Sequence, residues 1–179
     1  MADCPAMSVA SLGLRFARIL LFAVALTTGL IATAQAGCSD AAAPQVNWRR
    51  CLQDERALSK VDLTGGQLRE VSLTRAVLDG AIFTGAEAFG AKFISASLKG
   101  AKLDSAKLGN TDFTDADLTG ATLANSDLRN ARFVGARLRG ANLTGAALLG
   151  TVFRDADLSG ATWTDGVKIC AEGSVGLCE

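Results

Sequence analysis

No histidine and no tyrosine occur among the 179 residues. Without histidine there is no Ser-His or Cys-His pair to activate a nucleophile. Excess charge of either sign is missing too, since 18 basic side chains balance 18 acidic ones. Binding to a phosphate backbone wants a one-signed basic stripe, so the balance argues against a nucleic-acid groove. Proline is scarce, at two residues, and no Cys-x-x-Cys pair exists for redox work. No nucleotide-binding glycine motif is present, and the glycines instead keep step with a period of five. These absences leave no enzyme chemistry to assign, and no cofactor or metal is expected.

Only one long apolar run exists. Arg15 and Arg18 precede Ile19 to Ala36, a stretch without charge that ends Ala34-Gln35-Ala36. A positive n-region, an apolar h-region and a small-x-small site describe a secretory signal peptide over 1–36, cleaved after Ala36. The n-region is long, which leaves Met7 as an alternative start. Two other readings stay open. A retained membrane anchor needs roughly 20 apolar residues, and this run is marginal. A lipoprotein signal would put its lipid on Cys38, but Gln35 stands where leucine belongs. Cleavage would remove Arg15, Arg18 and Asp3, leaving 18 − 2 = 16 basic and 18 − 1 = 17 acidic side chains, a net charge of −1.

The rest of the chain repeats every five residues. From Leu63 to Trp163 in steps of five, the 21 positions hold 14 Leu, five Phe, one Trp and one Ala. Two residues earlier, 15 of 18 positions from Ala76 to Ala161 are Ala, and Thr111, Ser126 and Thr151 fill the others. Two residues later, 17 of 21 are Gly, Asn or Asp. A helix would turn a five-residue step by about 140° and smear the leucines round its surface. A flat strand would send alternate leucines to opposite faces. The chain must therefore turn once per pentad. Ala and Leu, two apart, point inward on a short extended piece, and Gly, Asn or Asp makes the corner.

The pattern Ala-(Asp/Asn)-Leu-x-Gly, as in ADLTG, ANLTG and ADLSG, resembles the pentapeptide repeat family from Val61 to Asp165. The resemblance implies an all-β fold, a right-handed quadrilateral β-helix with four pentads per coil and about five coils. It also implies short capped ends, at 37–60, where Gln53 and Arg56 break the apolar columns, and at 166–179. With twenty residues per coil, Phe93, Phe113, Phe133 and Phe153 stack into a core ladder, read as packed rings and not as a ligand platform. Five coils span about 25 Å. Cysteines at opposite ends then cannot meet, so the pairs Cys38–Cys51 and Cys170–Cys178 are expected and a four-Cys zinc site is not.

Function must then lie on the outside. The pentad AEAFG, Ala86 to Gly90, puts Ala88 in the leucine column and Phe89 outside it. Either a void remains, or the backbone shifts to bring Phe89 in, or Phe89 marks a contact. Thr122, Thr144 and Thr164 belong to a threonine-rich face that could meet an ordered surface or a glycan. Some relatives mimic DNA and bind topoisomerases, which asks for a strongly acidic surface and a cytoplasmic location. The expectation is a non-enzymatic exported scaffold, periplasmic or extracellular, with an unidentified protein or surface partner. No nucleic acid and no stable membrane insertion after cleavage are expected, while end-to-end dimers remain open because solenoid ends expose unpaired backbone.

Overall fold

The computed structural model describes residues 37–179. The expected signal segment 1–36 and its cleavage site lie outside the described residues. Among the described residues no helix is long and apolar enough to cross a membrane.

Every pentad from Gln45 to Asp165 has one backbone plan. Its second residue forms a parallel bridge with the residue twenty further on, from Asn47–Gln67 to Asn142–Thr162. Its fifth residue sits at positive φ, near 60°, from Gln45 to Gly160. A turn hydrogen bond closes the corners, that before Arg56 excepted, as when the Ala76 amide donates to Leu73 O at 3.2 Å. Three further amides per pentad point along the axis. In the pentad Val71–Arg75, Ser72 N–H donates down to Cys51 O (2.9 Å), while Leu73 and Arg75 donate up to Lys92 O and Ile94 O (2.8 and 2.9 Å). Four corners therefore close a twenty-residue coil, and coils stack by main-chain bonds that no side chain supplies.

The interior has two columns. Ala76, Ala81, Ala86 and their successors are buried beside Leu78, Phe83, Ala88 and theirs. Thr111 and Ser126, the buried hydroxyls of the alanine column, donate to the carbonyls of Ala88 (3.0 Å) and Leu123 (2.7 Å). Phe93, Phe113, Phe133 and Phe153 stack with centroids 5.1, 4.8 and 5.2 Å apart and planes within 11°. Phe83 meets Phe93 edge-on at 5.7 Å.

The coiled backbone begins ahead of Val61. The break expected at 60/61 has no counterpart in the backbone, because bridging already starts at Asn47. One side alone carries six rungs, Asn47, Gln67, Glu87, Lys107, Asp127 and Ala147, so the described residues form six coils, one of them ahead of the stretch from Val61 to Asp165 for which about five were expected. The polar residues that suggested a fading repeat are solved locally. Gln53 occupies the leucine column, buried, with its amide donating to Cys38 O at 2.6 Å and its carbonyl accepting from Arg56. Arg56 lies over the Trp48 ring at 5.5 Å.

Each end is tied. Cys38 bonds to Cys51, itself a member of the alanine column. At the other end the chain reverses after the last coil. Val175 and Ile169 form antiparallel bridges to Asp157 and Thr162, and Cys170 bonds to Cys178.

Candidate functional site

Backbone accounting explains the corners first. The fourth amide of each pentad has no axial partner, and at several corners an acidic or amide side chain serves it. Asp62, Asp112, Asp117, Asp127, Asn142 and Asp157 accept from the amide two residues on. Asp54, Asp79 and Asp104 accept from the amide twenty residues on, one coil above. The Ser159 hydroxyl, with its amide and Arg139, holds the Asp157 carboxyl below the ordinary carboxylate range, against the opposing effect of burial. Arg129 does the same for Asp127 through side-chain bonds of 2.8 and 2.6 Å. Burial works against ionisation of Asp117, yet Thr119 and Lys99 bring its carboxyl down. These carboxylates are structural acceptors. Among the described residues no cluster of His, Cys, Asp or Glu could hold a metal ion.

The residues singled out from sequence separate accordingly. The four phenylalanines of the ladder face inward, with only Phe153 half-buried, and present no platform to solvent. Thr122 Oγ1 donates to Asp104 at 2.7 Å and Thr144 Oγ1 to Asn142 at 2.6 Å, so these hydroxyls are already engaged. Thr164 sits half-buried at the corner above Thr144.

Phe89 is different. The backbone around it does not shift, since Glu87 keeps its bridge to Lys107 and Ala88 keeps its place in the core. Phe89 stays outside, 40 % exposed. It leans across Gly109, where a Cβ would stand 3.2 Å from the ring. Arg69 covers its other side, with the guanidinium carbon 5.2 Å from the ring centroid. A hollow of about 260 Å³ lies between Phe89 and Leu149, which is 80 % exposed. A second, of about 400 Å³, is lined by Arg49, Arg50, Arg69 and Glu70. Sequence reasoning missed Arg49, Arg69, Gly109 and Leu149. Reading the fourth pentad position in steps of twenty from Arg49 would have aligned them with Phe89.

Comparison with known proteins finds the same repeat. A family profile described as a pentapeptide repeat region matches residues 86–163, and one described as pentapeptide repeats (8 copies) matches 58–94. No curated relative matches the chain. Among solved structures, HetL, a pentapeptide repeat protein involved in heterocyst differentiation regulation from the cyanobacterium Nostoc, is 32 % identical over 67 % of this chain and 67 % of its own, with a TM-score of 0.42. A pentapeptide repeat protein of the Arabidopsis thaliana thylakoid lumen is 26 % identical over 68 % and 83 %, with a TM-score of 0.39. One from the cyanobacterium Cyanothece is 25 % identical over 65 % and 90 %, with a TM-score of 0.31.

Proposed function

The chain belongs to the pentapeptide repeat family, and from that premise we propose that it is a non-enzymatic exported scaffold, a right-handed four-sided rod that presents a rigid surface to a partner outside the cytoplasm. The observation that carries this reading is the pair of disulfides, one at each end, on a chain whose first residues read as an export signal. Disulfides persist in oxidising compartments and are rare in the cytosol. The non-enzymatic part draws on two features. Histidine is absent from the sequence, and eight of the outward aspartates accept from corner amides.

The DNA-mimic alternative gains no support. Cations interleave with the acids, as where Asp117 lies 3.5 Å from Lys99 and 3.7 Å from Arg137. The glycan-binding alternative is weakened by the engaged hydroxyls of Thr122 and Thr144.

Fractionation of cells expressing the tagged chain tests export. The expected result is processed protein outside the cytoplasm, with no thiol reacting with an alkylating reagent until a reductant is added. Unprocessed, fully alkylatable protein in the cytosol would overturn the reading.

A further inference from the structure

One corner of the rod brings unpaired arginines and large exposed apolar side chains together. Its fourth pentad positions, stacked one coil apart, are Arg49, Arg69, Phe89, Gly109, Arg129 and Leu149. Arg129 is spent on Asp127, and Arg50 pairs with Glu70 at 2.8 Å. Lys107 pairs with Glu87 at 2.7 Å. Arg49 and Arg69 form no ion pair among the described residues. Five cations (Arg49, Arg50, Arg69, Lys107, Arg129) thus face three anions (Glu70, Glu87, Asp127), on a chain whose formal charge is zero. Next to the two free guanidiniums lie Phe89 and Leu149, large, exposed and separated by a hollow. The backbone beneath is fixed by axial bonds, such as Glu70 N–H to Phe89 O (3.0 Å) and Gly90 N–H to Gly109 O (2.9 Å). A surface already held in place loses little entropy when a ligand docks.

We propose that this corner docks an extended segment of a partner protein, one that sets a carboxylate on Arg49 and Arg69 and an apolar side chain in the hollow between Phe89 and Leu149. The inference rests on reading the chain as a non-enzymatic binding scaffold. Charge complementarity selects the acid, and the two large exposed apolar side chains that bound the otherwise polar hollow, Phe89 and Leu149, select a peptide side chain over an anionic polysaccharide, which has none to set between them. The geometry also sets the spacing. From midway between Arg49 and Arg69 to midway between Phe89 and Leu149 is three coils, roughly 14 Å at the spacing of stacked strands. An extended chain advances about 3.3 Å per residue and returns to the same side every second one. Two residues fall short and six overshoot, so the acidic and apolar side chains stand four residues apart.

Fluorescence anisotropy with the full-length, disulfide-bonded protein tests this with labelled nine-residue peptides. Each carries one Asp and one Leu in an otherwise Ser/Thr background, spaced two, three, four or six apart. The four-residue spacing should bind at least tenfold tighter than the others, and a Lys-for-Asp peptide should not bind. Arg49→Glu with Arg69→Glu should weaken binding at least tenfold and remove its salt dependence. Phe89→Ala should weaken it severalfold at every salt concentration. Arg132→Glu, on another side of the rod, should leave binding unchanged, and unaltered circular dichroism certifies each variant as folded. Equal affinity for all spacings overturns the proposal. So does a polyuronate or a second copy of this chain competing through the same residues. Failure of every peptide overturns the corner assignment alone, because export and scaffolding are decided by fractionation.

Discussion

The first coil, residues 45–64, and the coil at 125–144 share a backbone and little sequence. At the corners, Gln45, Arg50, Glu55 and Lys60 have φ of 59, 58, 59 and 60°, against 56, 58, 66 and 63° for Asn125, Asn130, Gly135 and Gly140. Inside, the first coil holds Val46 and Cys51 with Trp48, Gln53 and Leu58, while Arg56, at an alanine-column position, stays exposed over the Trp48 ring. The later one holds Ser126, Ala131 and Ala136 with Leu128, Phe133 and Leu138. The upward axial hydrogen bonds are the same in both, while the downward ones, such as Arg132 N–H to Thr111 O, exist only in the later coil. A coil can therefore be imposed by its neighbour's unpaired amides and carbonyls even when its own residues give weak local instructions. The later coil has both sources of order, and the first leans on stacking and on its disulfide.

The largest test of that difference is a core truncation. Phe133 is fully buried and stacks on rings above and below. Phe133→Ala should cost about 3–5 kcal/mol, read by denaturant unfolding, because the cavity opens inside the best-ordered stretch. Opening the Cys38–Cys51 loop, with its sequence separation of 13, should cost about 3 kcal/mol by loop entropy. The location of the damage is more telling than its size. Hydrogen exchange should rise over 45–64 and stay low over 125–144. Uniform loss of protection would mean that the two coils are equally self-sufficient.

The difference also explains what could be read from the residues. The alanine and leucine columns, the corner residues and the inward phenylalanines are visible because each repeats at a fixed step. The first coil was harder to see. Gln53 breaks the apolar column, and its burial becomes tolerable only once the Cys38 carbonyl and Arg56 arrive to satisfy its amide. Positive φ at Glu55 or Lys60 carries no compositional mark, unlike glycine at Gly120. The corner at Arg69 and Phe89 was harder still, since its members are scattered over a hundred residues and meet only after folding in twenties. Phe89 alone was visible, as a breach of the pattern.

A paired substitution sharpens the inside-outside assignment within the regular coils. Ala121 is fully buried and Thr122 half-exposed. Ala121→Leu should destabilise by about 1–3 kcal/mol through overpacking, while Thr122→Leu should change stability little. Equal melting temperatures would remove the distinction between the columns.

Acid acts on both coils at once. Hydrogen bonds from the Thr64 side chain and amide hold the Asp62 carboxyl in the first coil below the ordinary range, and Arg129 does so for Asp127 in the later one. A carboxyl depressed in the folded state contributes stability that is complete above its unfolded value, about 3.9, and lost as pH falls through the folded value. Thermal unfolding should therefore be flat from neutral pH down to about 5 and fall below about 4. A stability that rises on acidification would contradict the role of these groups as corner acceptors.

The smallest expected effect goes to the cause of the first coil's weakness. Lys60 sits at φ 60° and forms no ion pair among the described residues. A residue with a Cβ is strained there by about 1–2 kcal/mol, whereas glycine is not and instead carries a backbone entropy cost of about 0.5–1 kcal/mol. Lys60→Gly should thus stabilise the protein by roughly 0.5–1 kcal/mol. The reverse exchange at Gly120, φ 66°, where a Cβ would meet nothing within 4 Å, should cost a similar amount. Both substitutions leave the core and the disulfides alone, so chemical denaturation reads the corner by itself. If Lys60→Gly destabilises while Gly120→Lys behaves as stated, the first coil's corners are held by something other than their neighbours, and templating by the adjacent coil is not what shapes them.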